Sequence, residues 1–203
     1  MSTYIAPLPK QAHTDADPSA YRSMMLRAYL ELLDQYQAEQ ILDIGPICQE
    51  NIRFFAQRVR RLYVCDMFLR LAREWDPETQ QPQERVWRHF DYAPNTFHGI
   101  HLWELPDHLN DEGVKRLAGL CHTMLKPGGL VAVSAFESQS APLQISAFVV
   151  DSNLYLRQRP QSHINFPWHF RQNRELTTLM QPLTTANAFR YRNGVREFLF
   201  QRS

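Results

Sequence analysis

The chain has 203 residues, of which 44% are hydrophobic and 12% aromatic, and its formal net charge is +1. Such content excludes a disordered chain, and the length suits one domain spanning residues 1–203 with a substantial core. The balanced charge gives no general reason to expect nucleic acid or an anionic membrane as partner. No apolar run approaches the ~20 residues that span a bilayer, and the first ten residues lack the basic start and apolar core of a signal peptide. Cys48, Cys65 and Cys121 show no CxxC or other metal-ligand spacing. Three scattered thiols suit a reducing cytoplasm. The charge is uneven, because residues 1–150 carry 14 basic and 18 acidic groups while 151–203 carry 8 basic groups, all Arg, and 3 acidic ones.

Residues 1–17 read as an extended lead-in, with Asp17-Pro18 as cap and first residue of a helix over 18–37. Met25, Tyr29, Leu32 and Tyr36 lie on one face of that helix. Gln40–Ile44 is a first strand, closed by a turn at Gly45. Ile52, Phe55, Ala56 and Val59 give a helix over about 50–60. Leu62–Cys65 is a second strand ending at Asp66, and 67–75 is helical up to Asp76-Pro77. The Gln/Glu/Pro-rich stretch 76–84 is a surface loop, and Arg85–Phe90 is a third strand ending at Asp91. Phe97–Leu102 is a fourth strand. Asn110 caps a helix with the apolar stripe Val114, Leu117, Ala118, Cys121 and Leu125, which Lys126-Pro-Gly-Gly129 terminates. Leu130–Ser134 is a fifth strand. Residues 137–172 break the rhythm with an Arg- and aromatic-rich insert. A short helix carrying Leu176, Leu179 and Met180 follows. Asn193-Gly194 between two β-rich runs signals a closing hairpin. Alternating strands and helices predict a mostly parallel sheet with helices on both faces and an antiparallel C-terminal hairpin.

Asp43, Gly45, Asp66 and Asp91 therefore sit at or just past the ends of successive strands, along one sheet edge. The helix behind Gly45 offers free N–H groups and a positive dipole end. Asp66, 21 residues beyond Gly45, is well spaced to hold ribose hydroxyls. Asp91 is placed to accept from an adenine amino group.

These stretches together resemble the class I S-adenosylmethionine-dependent methyltransferases. Leu42-Asp-Ile-Gly45, Tyr63-Val-Cys-Asp66, Phe97–Leu109, Leu125–Val133 and Thr185–Phe189 with its hairpin match that family in order and spacing, from about residue 20 to the C-terminus. The resemblance implies a three-layer Rossmann-like α/β fold with a seven-stranded sheet. It implies S-adenosylmethionine as cofactor. Gly45 and Pro46 would meet its amino-acid arm, which Asp43 would orient. Asp66 would bind the ribose, with Met67 against adenine and Asp91 and Tyr92 at the adenine rim. Leu102 and Trp103 would border the methyl group, and His108 would lie at the cleft mouth as a candidate general base.

The chain also departs from that pattern. Ile47 and Gln49 stand where the family usually has glycine, Pro46 has no N–H to donate, and His98 replaces a common acidic residue. An adapted site would use the Gln49 or Asn51 side chains instead. His98 and His101, three apart on a strand, point to opposite faces and do not chelate one ion, so no metal is expected. Ser134, Ser138 and Ser140 lack the G-x-S-x-G elbow of a hydrolase, and G-x-G-x-x-G is absent. Two readings follow: a methyltransferase acting on a small-molecule acceptor, or a catalytically inactive binding or scaffold subunit of the same fold. The insert at 137–172 would serve as a substrate cover or as an interface, a homodimer among the partners it would suit.

Overall fold

The chain winds around a six-stranded sheet. The computed structural model describes residues 20–35, 37, 39–76, 78–79, 81–137 and 144–203. The lead-in, the Asp17-Pro18 cap, Tyr36, Pro77, Ser138 and Ser140 lie outside them. In chain order the elements are β1 (Tyr21–Arg22), α1 (Met24–Gln35), β2 (Gln40–Asp43), α2 (Gln49–Ala56), β3 (Arg61–Val64), α3 (Met67–Arg73), β4 (Trp75–Asp76) and β5 (Gln81–Pro82). After a 3-10 helix over Glu84–Phe90 come β6 (Phe97–Trp103), α4 (Asp111–Met124), β7 (Leu125–Phe136), β8 (Ser146–Val150), β9 (Tyr155–Pro160), α5 (Asn173–Leu179), β10 (Thr184–Arg190) and β11 (Val195–Gln201).

The main sheet has the order β10-β11-β7-β6-β2-β3. β2 is parallel to β3 and β6, with Leu42 opposite Tyr63 and Ile100. β6 is parallel to β7, whereas β11 runs antiparallel to both β7 and β10. The side-chain period of two sorts the strands into two packing faces. Leu42, Ile44, Ile100, Leu102, Val131 and Val133 share a cluster with residues of α3, the 3-10 helix, α4 and α5. Ile41, Trp103, Leu130 and Ala132 pack with Met25 and Tyr29 of α1, Phe54 and Phe55 of α2, and Phe148 and Leu156 of a second sheet. That small sheet has the order β1-β9-β8. Each large side chain fully buried in these layers stabilises the fold by roughly 1.5–3 kcal/mol.

Local signals explain most element ends. Asp66 accepts from the Leu69 N–H and starts α3, and Asn110 accepts from the Gly113 N–H and starts α4. Gly194 takes φ +79° in the closing hairpin turn, where only glycine is at ease. Several expectations need correction. The 85–90 segment is helical, with Val86, Trp87 and Phe90 buried. Its apolar residues recur three and four apart, a helical interval, and not at the interval of two that a strand demands. The sheet thus has six strands among the described residues, not seven. The stretch 76–84 contains the short β4–β5 ladder. The first helix begins at Met24 after a strand at Tyr21–Arg22, and its buried stripe is Met25, Leu26, Tyr29 and Leu33. The fifth strand is longer than expected, running from Leu125 to Phe136. No helix among the described residues is long and apolar enough to cross a membrane.

Candidate functional site

The ends of β2, β3, β6 and β7 lie side by side, as the parallel pairing requires. Asp43 closes β2, Asp66 follows β3, and Trp103 closes β6. The Cys65 N–H donates to the Asp43 carbonyl (2.9 Å), and the Ile44 N–H donates to the His101 carbonyl (2.8 Å), so the three strand ends are tied together by main chain.

Trp103 dominates this edge. A register shift between His101 and Trp103 marks a bulge in β6, and Trp103 takes φ +50°. A bulky residue in the left-handed region is strained by roughly 1–3 kcal/mol. Its indole lies flat on the His101 ring, with centroids 3.8 Å apart and planes at 12°, and Phe148 of β8 stacks on it at 5.6 Å. The indole Nε1–H donates to Asp43 Oδ1 at 2.6 Å. Trp103 is 2% exposed and Asp43 5% exposed. Burial pushes the Asp43 carboxyl up to about 7, against the opposing pull of the indole hydrogen bond.

Gly45 is explained by the same indole. It does not take positive φ, so the turn itself does not demand glycine. A Cβ at this position would lie 2.3 Å from Trp103 Cδ1 and 2.8 Å from Nε1. Gly45→Ala is therefore expected to cost about 1–3 kcal/mol by overpacking against a rigid ring. Urea denaturation checks it, and an unchanged midpoint would mean that the indole moves aside freely.

The other expected site residues are distributed as follows. Pro46 is buried beside Gly45, while Ile47 is exposed. The Ile47 N–H donates to Asp66 Oδ2 at 3.3 Å, and Asp66 Oδ1 accepts from Leu69 N–H at 2.9 Å. Both carboxylate oxygens of Asp66 thus already accept main-chain donors. Ile47 keeps φ negative, so its bulk brings no backbone strain. Met67 is buried, Tyr92 half-buried against Tyr63 and Phe97, and Asp91 exposed. Leu102 is fully buried on the opposite face from Trp103. The two therefore do not border one space, because consecutive strand residues point apart.

His108 is not at a cleft mouth, because it is fully buried. The helical turn Leu105–His108 folds it inward, against Phe68 and Trp168. Its Nδ1 lies 3.2 Å from the Pro167 carbonyl, and Nε2 lies 3.9 Å from Glu104. Burial lowers the imidazole to about 4. Glu104 accepts from the Ser146 N–H (2.7 Å) and Asp107 from the Phe136 N–H (2.8 Å). These acids hold main chain in place, and burial pushes both carboxyls up, Asp107 to about 7.

Asn51 does not replace lost cofactor donors. It is 2% exposed, and its side chain pairs with the edge of β8, donating to the Phe148 carbonyl (2.6 Å) and accepting from the Val150 N–H (2.9 Å). It thereby fastens the insert strand, and with it Phe148, over Trp103. A buried Asn inside an amphipathic helix was the signal for such a clamp, although its partner could not be read from spacing. Gln49 is exposed. His98 holds the Glu39 and Gln40 N–H groups at 3.3 Å each through Nδ1, away from this edge. Two arginines of the C-terminal part are structural, Arg171 at the end of the insert and Arg196 of β11. Arg171 donates to the Pro106 and Leu109 carbonyls, and Arg196 to those of Arg171 and Phe136. Arg157 and Arg159 instead line a groove of about 600 Å³ with Glu50, Arg53 and Arg58. Asp43, Gly45, Asp66 and Trp103 take no part in that groove.

The cofactor that the resemblance implies is S-adenosylmethionine. Its amino-acid arm would have to lie against Gly45, where the indole already sits. With the side chains so placed, the Trp103 indole stands where that arm would lie. Only the rim formed by Asp66, Asp91 and Tyr92 retains exposed or half-exposed groups.

No protein-family model matches the chain, and no curated protein matches its sequence. Solved structures do match. An S-adenosylmethionine-dependent methyltransferase from Mesorhizobium loti superposes with TM-score 0.52 at 11% identity, covering 81% of this chain and 91% of that one. The amino pentose methyltransferase CalS10 of Micromonospora echinaspora, solved with S-adenosylmethionine, superposes with TM-score 0.52 at 12% identity, covering 88% of this chain and 90% of that one. The chain accordingly has the Rossmann-like α/β fold of the class I S-adenosylmethionine-dependent methyltransferases.

Proposed function

We propose that the protein is an S-adenosylmethionine-dependent methyltransferase acting on a small-molecule acceptor. The observation that carries this reading is the gathering of Asp43, Gly45 and Asp66 at adjacent ends of parallel strands, the place where open α/β sheets take their ligands. The structural likeness to CalS10 supports the same cofactor class. In this reading the insert strand β8 is the cover that keeps the site dry, and catalysis rests on positioning an acceptor that is already nucleophilic. His108 needs no part in it, since burial makes its imidazole a weak base and encloses it within the core.

Calorimetry with S-adenosylmethionine, S-adenosylhomocysteine and NAD tests the reading. Saturable binding of the first two and not of NAD is the expected outcome, and absence of all binding at millimolar ligand would refute it. Asp66→Asn keeps an acceptor for the α3 cap and should weaken S-adenosylhomocysteine binding at least tenfold, about 1.4 kcal/mol. Unchanged affinity would remove Asp66 from the ribose.

A second reading, a non-catalytic binding or scaffold subunit, is favoured by one observation, the indole of Trp103 seated on Gly45. The two readings diverge on whether that indole can be displaced.

A further inference from the structure

We propose that Trp103 is the residue that decides whether the site admits an amino-acid arm: its indole occupies that arm's place, and cofactor and indole exclude one another there. This inference rests on the methyltransferase reading and specifies how its site is controlled.

Three features make the indole an occupant with its own binding interactions. It fills the Cβ space of Gly45, its Cδ1 standing 2.3 Å from where a Cβ would be. Backbone that touches a ring so closely leaves no gap for any ligand atom. Next, the indole satisfies the site's own acid, since Nε1–H donates to Asp43 at 2.6 Å. A ligand group that took Asp43 would have to break this bond. Finally, the ring stacks nearly parallel on two others, His101 at 3.8 Å and Phe148 at 5.6 Å. Phe148 is held by the two hydrogen bonds of Asn51 to β8. Opening therefore means removing the indole from the His101–Phe148 stack and leaving Asp43 for the ligand.

One feature works against the closed arrangement. Trp103 sits at φ +50°, a conformation that glycine adopts without penalty. The strain persists because the packing around the ring holds it. A ligand need supply only the difference between the stacking and hydrogen bond lost and the strain released. Its apparent affinity falls by the fraction of molecules that are open.

The test is Trp103→Gly, which removes the occupant and suits the backbone. Its S-adenosylhomocysteine affinity by calorimetry should exceed that of the wild type by at least tenfold. Binding by the variant alone would uphold the exclusion of arm by indole while refuting the wild type as an active methyltransferase, leaving the non-catalytic reading of the same fold. Equal affinities would overturn it while leaving the methyltransferase reading intact. Binding by neither protein would overturn that reading, and the proposal with it. A measurement on the wild type covers the case of a variant that does not fold. The indole Nε1–H resonance of Trp103, assigned by its loss in Trp103→Phe, should shift and exchange faster with solvent as S-adenosylhomocysteine saturates the protein. A resonance unmoved at saturation would show that indole and ligand coexist, and a wild type that never saturates at millimolar ligand counts as no binding.

Discussion

Asp43→Asn should gain about 3–4 kcal/mol of stability relative to the wild type between pH 4 and pH 8. The folded Asp43 carboxyl is raised from 3.8 to about 7 by burial. Between those values the folded protein holds a proton that the unfolded chain releases, so rising pH favours the unfolded state. The wild-type contribution is fully present below 3.8 and is lost as pH climbs through 7. An asparagine has no such proton and still offers the indole an acceptor. Its amide N–H groups carry a burial cost of about 1–3 kcal/mol, but that cost is the same at every pH. The prediction therefore concerns the slope and not the absolute stability. Urea denaturation of both proteins at several pH values checks it. Parallel curves would mean that Asp43 ionises in the folded protein as easily as in water. Asp107, also raised to about 7, and His101 and His108, lowered to about 3 and about 4, titrate alike in both proteins and cancel in the difference.

The second large effect is expected on β11, across β7 from Trp103. Glu197 of β11 is fully buried. It accepts from the Tyr21 hydroxyl (3.0 Å), the Ser23 hydroxyl (2.8 Å), the Tyr191 hydroxyl (2.6 Å) and the Met25 N–H (3.2 Å). One carboxylate thus fastens the start of α1 to the C-terminal hairpin. Glu197→Leu would take this acceptor from the buried Tyr21 and Ser23 hydroxyls and the Met25 N–H, and from the half-buried Tyr191 hydroxyl. The expected cost is about 3–5 kcal/mol, from about 1–3 kcal/mol for each buried donor left unsatisfied less the burial cost of the acid itself. Ser23 also accepts from the Leu26 N–H (2.9 Å), so the helix start should fray together with the network. Hydrogen exchange should show α1 amides losing protection ahead of β6 and β7. A loss below 1 kcal/mol would mean that water replaces the carboxylate.

Much of this architecture was legible in the sequence because short-range chemistry dictated it. The Asn110 cap, the Asn193-Gly194 turn and the apolar runs of β2, β6 and β7 depend on neighbours close in the chain. The 85–90 segment has only three apolar residues, Val86, Trp87 and Phe90, too few to set a period firmly, although their spacing of three and four is the helical one. At the site, Asp43 and Asp66 do lie at adjacent strand ends, whereas Asp91 follows a 3-10 helix and not a strand, and the partners of these acids are not encoded in their spacing. Asp66 caps a helix, Asp43 meets an indole, and Asn51 grips a strand almost a hundred residues later. Such pairings depend on tertiary placement, which spacing does not encode. The missing glycines at Ile47 and Gln49 pointed to an altered loop. The larger alteration came from Trp103, contributed by a different strand.

The left-handed backbone at Trp103 has an evolutionary consequence. Most replacements there would inherit the strain and lose the stacking that justifies it. Glycine alone escapes the first penalty, and the tryptophan codon UGG lies one base from the glycine codon GGG. A population could thus pass between a filled and an open pocket by a single mutation, with no intermediate residue to survive.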